Sequence, residues 1–157
     1  MAASVAVEAA IKAKSREQCL RAILADAHEP EETERLVFVC RRHIPEKVYF
    51  IDGVVLISIL SKIGLVDLEH EDLHIDFYEN GHHARGYSFR TDDNGRIIEL
   101  NICDETFRYP PFDLPAGVVR LDKLTDIYVS NCRSLPVKEL SSLPHLQKFV
   151  SIIVRIF

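Results

Sequence analysis

The sequence predicts an α+β fold, and three patterns carry that expectation. Apolar residues recur at helical spacing through much of residues 1–70. From residue 71 apolar and polar residues alternate around two turn signals. Over the last third a ladder of leucines advances in steps of three. Residues 1–70 therefore read as a helical region, and residues 71–157 as a small antiparallel β-meander leading into a leucine-rich segment.

The helical elements follow in order. Ser15 and Gln18 have the spacing of a capping box, and Cys19, Leu20, Ile23, Leu24 and Ala27 then share one face. Pro30 suits the first position of a second helix, where its missing N–H costs little. Glu31, Glu32 and Glu34 suit that helix's positive end, and Arg41, Arg42 and His43 its negative end. Ile44-Pro45 ends it. Between residues 48 and 63 two readings stand. Asp52 could cap a helix from Gly53 to Ile63 that Gly64 closes, whereas Val54, Val55, Ile57 and Ile59 also suit a buried strand; length favours the helix.

The meander is read from Ile75 and Phe77, the turn Asn80-Gly81, then Tyr87 and Phe89. Asp92-Asp93-Asn94-Gly95 makes the second turn, and Ile98, Leu100 and Ile102 alternate after it.

Composition excludes several classes. Hydrophobic residues are 47 % of the chain and charged residues 27 %, enough for a packed core and against wholesale disorder. A net charge of −5 gives no reason to expect a nucleic-acid partner. Cys19, Cys40, Cys103 and Cys132 form no CxxC pair, so they read as reduced thiols of a cytoplasmic protein. Residues 1–13 carry Glu8 and Lys12 and lack the pattern of a signal peptide. The apolar run Val48 to Ile63, interrupted by Asp52 and Gly53, is short for a membrane span. No cofactor is implied.

The most specific pattern lies between Leu124 and Leu135. Leu124, Ile127, Val129, Cys132 and Leu135 fill every defined position of LxxLxLxxCxxL. Ile127 and Val129, two apart on a strand, point the same way into a core. Cys132 falls where the chain bends away, and a thiol there can bond the loop backbone. The pair Leu114-Pro115 recurs at Leu135-Pro136, and Leu124 recurs at Leu146, within the roughly 20–29-residue period of this class. Val118, Leu121 and Leu124 form one ladder, and Leu140, Leu143, Leu146 and Phe149 the next.

The segment from Asn94 to Phe149 thus resembles leucine-rich-repeat proteins of the plant and algal type, with Asn94 to Ile102 as an entry strand. Ile97, Leu100 and Ile102 would match Leu124, Ile127 and Val129. The resemblance implies a short solenoid of about two repeats. There are departures. Glu105 and Arg108 fall where Cys132 and Leu135 would, Ser151 falls where Val129 would, and Ile152 to Phe157 lack a polar cap. That ending suits a fragment of a longer array, a fold-back onto the helices, or self-association through the apolar C-terminus.

The same resemblance implies a protein–protein interaction or scaffold module, not an enzyme. Residues alternating with the core positions face outward: Glu99, Asn101, Asp126, Tyr128 and Ser130, with Lys148 beside them. A polar strip with one tyrosine suits recognition of another protein. The rival reading is a zinc-dependent hydrolase. His70-Glu71-Asp72-Leu73-His74 matches HExxH, in which His70 and His74 would bind zinc and Glu71 would act as general base. The acidic surroundings, the strand-like alternation after His74 and the missing downstream histidine argue against it, so no metal ligand is assigned. His82-His83, beside a turn, reads as solvated. No phosphate loop or nucleophile signature is present.

Overall fold

The computed structural model describes residues 2–64, 87–102 and 112–152. Three helices come first: α1 (Ala2–Ala27), α2 (Pro30–His43) and α3 (Phe50–Lys62). Strands β1 (Tyr87–Thr91) and β2 (Ile97–Ile102) follow, joined through the Asp92–Gly95 turn. Then come β3 (Phe112–Asp113), a 3₁₀ turn (Ala116–Arg120), β4 (Asp126–Ser130), β5 (Cys132–Ser134), the short α4 (Val137–Leu140) and β6 (Lys148–Ile152).

The helices differ from expectation at their starts. Ser15 caps nothing; it lies exposed within α1, because the alanine-rich residues before it favour helix and extend it. Leu20 and Leu24 are fully buried as expected, whereas Cys19 is exposed. Pro30 does open α2, with Glu31 and Glu32 in its first turn and Arg41, Arg42 and His43 in its last. For residues 50–62 the helix wins over the strand. Every residue from Asp52 to Leu60 is buried, among α1, α2 and the 3₁₀ turn. Burying a Val or Ile side chain contributes roughly 1.5–3 kcal/mol. Their helix penalty is at most about 0.7 kcal/mol each, so packing decides.

Asp52 is not the cap of α3 either. Tyr49 holds that position, and the Asp52 carboxylate, 1 % exposed, leaves its own helix to grip the hairpin. It accepts from Arg96 Nε at 2.9 Å and from the Ile97 backbone N–H at 2.9 Å. The Arg96 guanidinium also lies 4.6 Å from the Tyr49 ring centroid and pairs with Asp122. Beside it the Tyr49 N–H donates to Gly95 O at 2.9 Å. Gly95 has φ +76, and a Cβ there would stand 2.2 Å from the Lys47 carbonyl oxygen. Only glycine allows both the turn and this approach.

The main sheet has the order β1-β2-β4-β6. β1 runs antiparallel to β2, while β2, β4 and β6 are parallel. Leu100 pairs with Ile127 and Ile102 with Val129, and Ile127 pairs in turn with Phe149. Ile97, not Ile98, is the third inward residue of β2. Leu124, Ile127, Val129 and Cys132 are buried, and Cys132 Sγ donates to Ser134 O at 3.0 Å. A second sheet pairs β3 with β5 in parallel.

The expected leucine-rich-repeat solenoid is corrected by this topology. The fold is α+β, but its main sheet is mixed, with an antiparallel edge strand, and β3 and β5 form a separate two-stranded sheet. Its parallel steps are unequal, since Leu100 is further from Ile127 in sequence than Ile127 is from Phe149. A solenoid stacks like units that contact only their neighbours. Here one hydrophobic cluster joins α1, α2 and α3 to the strands. Of the expected meander the structure shows the β1–β2 hairpin; its first strand, read from Ile75 and Phe77, and the Asn80-Gly81 turn lie outside the described residues.

Candidate interaction surface

Strand alternation sorts the sheet into two faces. Phe89, Leu100, Ile127 and Val129 enter the core. The residues between them form cross-strand rows on the opposite face. In one row Arg90 pairs with Glu99, Glu99 with Asp126, and Asp126 with Lys148. In the next, Ser88 pairs with Asn101, Asn101 with Tyr128, and Tyr128 with Val150. Ser130 follows on β4, paired with Ile152. The structure therefore brings together all five residues singled out from the sequence: Glu99, Asn101, Asp126, Tyr128 and Ser130. Each is half-buried, neither packed away nor fully solvated.

Their side chains hold one another. Arg90 Nε donates to Glu99 Oε2 at 3.0 Å, and Asn101 Nδ2 donates to Ser88 Oγ at 3.2 Å and to Glu99 Oε1 at 3.4 Å. The Tyr128 hydroxyl donates to Asp126 Oδ2 at 3.3 Å. Lys148 Nζ lies 5.4 Å from the Tyr128 ring centroid, within cation–π range. Glu99 and Asp126 stand opposite each other on adjacent strands with like charge. Arg90 is bonded to Glu99 and Lys148 pairs with Asp126 across the sheet, so a cation flanks each carboxylate.

Arg90 was absent from the sequence-derived set and Lys148 stood at its margin. The Asp92–Gly95 turn carried the missing signal, since it sets Arg90 opposite Glu99.

A second polar cluster, among the helices, went unread. His28 Nδ1 lies 2.7 Å from Glu32 Oε1, and His28 Nε2 lies 2.9 Å from Ser58 Oγ. The His28–Glu32 spacing of four was visible in sequence, but nothing local tied Ser58 to it.

His70, Glu71 and His74, with His82 and His83, lie outside the described residues. Among the described residues no group of three or more His, Cys, Asp or Glu could hold a metal ion. Cys19, Cys40 and Cys132 are free thiols, and burial pushes Cys40 up to about 12. No helix among the described residues is long and apolar enough to cross a membrane.

Comparison of the chain with protein-family models, with curated proteins and with solved structures finds no match.

Proposed function

We propose that the chain is a protein-interaction module whose outer sheet face, built from Glu99, Asn101, Asp126, Tyr128 and Ser130, docks another protein. The observation that carries this reading is the placing of Glu99 beside Asp126, with Tyr128 next to them, on the face away from the core. The two half-buried carboxylates are acceptors that a cationic side chain from a partner would bond. Tyr128 offers a ring already oriented by Asp126 and already near a cation. Aromatic rings with a polar tip are enriched at protein interfaces. Recognition, not catalysis, is this face's role.

The test is site-specific photo-crosslinking in the native host. A photoreactive phenylalanine at Tyr128 should capture a discrete partner, and the same group at exposed Val137, beyond the sheet, should not. Glu99→Gln combined with Asp126→Asn should abolish that capture while the variant still unfolds cooperatively. Equal capture from both positions would overturn the proposal.

A further inference from the structure

We propose that Ser58, His28 and Glu32 form an acyl-transfer site, in which Ser58 is an activated nucleophile facing a small cavity between α1, α3 and the 3₁₀ turn. This site is separate from the docking face and does not depend on it.

Three elements converge there: His28 follows the end of α1, Glu32 lies in the first turn of α2, and Ser58 lies in α3. A carboxylate only accepts, so His28 Nδ1–H donates to Glu32 across 2.7 Å. In the neutral ring Nε2 is then an acceptor, and the Ser58 hydroxyl donates to it across 2.9 Å. Glu32 is held in turn by the Ser61 hydroxyl, which donates to Oε1 at 3.3 Å. Nucleophile, base and orienting acid stand in the order that activates a serine, an arrangement recognised by geometry and not by chain position. The His28 ring is fully buried.

The cavity supplies the rest. It holds about 360 Å³, near the lower end for ligand pockets, and Ser58 lines it. Ile23, Val55, Ile59 and Pro115 give it apolar walls. Lys62, one turn after Ser58, lines it as well, with Asp26 and Arg120, which pair with each other at 3.3 Å. Lys62 Nζ donates to Ala27 O at 2.6 Å and has two further N–H groups, a source of charge for an oxyanion. The fitting substrate is an ester with a short apolar acyl group.

The step balances without another reagent. Ser58 Oγ attacks the ester carbonyl carbon while its proton passes to His28 Nε2. The carbon–oxygen bond to the alcohol breaks, and the alcohol leaves with that proton. Water, giving its proton to the same nitrogen, then attacks the acyl-serine, and the acid departs as Ser58 recovers its proton.

The full chain is treated with a fluorophosphonate probe and, separately, with p-nitrophenyl butyrate. Expected are a covalent adduct mapped to Ser58 and ester hydrolysis that falls at least 100-fold in Ser58→Ala and His28→Gln. Ser58→Cys keeps the shape and guards against variants that fail to fold; its new thiol should react with iodoacetamide at least 10-fold faster than exposed Cys19. An unlabelled Ser58, with hydrolysis unchanged in Ser58→Ala, would overturn the proposal. So would a thiol in the Ser58→Cys variant that reacts no faster than Cys19, and the cluster would then be only a tie between helices.

Discussion

The two ends of the parallel sheet carry the same pattern under different conditions. At the helix-and-hairpin end Ile97, Leu100, Leu124 and Ile127 are all 0 % exposed. At β6 their counterparts Leu146 and Phe149 are only partly buried. Between them Val118 and Leu121 are sealed, while Leu140 and Leu143 reach 6 % and 7 % exposure. Equal spacing in sequence therefore does not mean equal weight in the fold. A leucine stabilises according to what covers it, and β2 and β4 have strands on both sides whereas β6 is an edge among the described residues.

That contrast yields graded expectations. Among truncations to alanine, a large effect should come from the clamp between α3 and the hairpin. Asp52→Ala leaves the Arg96 guanidinium and the Ile97 N–H without their buried acceptor and should cost about 3 kcal/mol in chemical denaturation. A loss under about 1 kcal/mol would mean the clamp is not what joins the two regions. Next comes the direct comparison. Leu124→Ala should cost about 3 kcal/mol, and Leu146→Ala, the same change at the half-covered end, about 1 kcal/mol. Equal costs would show that β6 is as well covered as β4.

The smallest effect belongs to the second sheet. Arg133 and Ser134 hold the Asp113 carboxyl at about 2, below the usual carboxylate range. A carboxyl whose folded value is depressed stabilises above its ordinary range and loses that contribution as pH falls toward the folded value. The melting temperatures of wild type and Asp113→Asn should therefore differ slightly near pH 6 and converge between about pH 4 and pH 2. Asp113 is exposed, so the gap should be small. A gap that persists at about pH 2 would assign it to packing instead.

Much of the sheet was legible because its signal is local. Ile127 and Val129 announce a strand by spacing alone, and their phase fixes Asp126, Tyr128 and Ser130 on the other face. The turn at Asp92–Gly95 likewise reveals a hairpin. The illegible parts are tertiary. Asp52 looks like a helix cap until Arg96 is brought to it from a distant stretch of chain. Ser58 looks like a neutral helical residue until His28 meets it. The two-residue β3 gives no periodicity to read. The spacing from Leu124 to Cys132 captured the buried β4 positions, yet it could not show that three helices would share the core with them.

A docking face on this sheet requires neighbouring residues of β4 to face opposite ways. Thermal unfolding of Ile127→Asp and Tyr128→Asp, measured side by side, tests this most directly. Ile127→Asp should lose the cooperative transition, since it buries a charge at a position that is 0 % exposed. Tyr128→Asp should melt within a few degrees of wild type. Matching losses, or the reverse order, would contradict the two-faced sheet and the docking surface drawn on it.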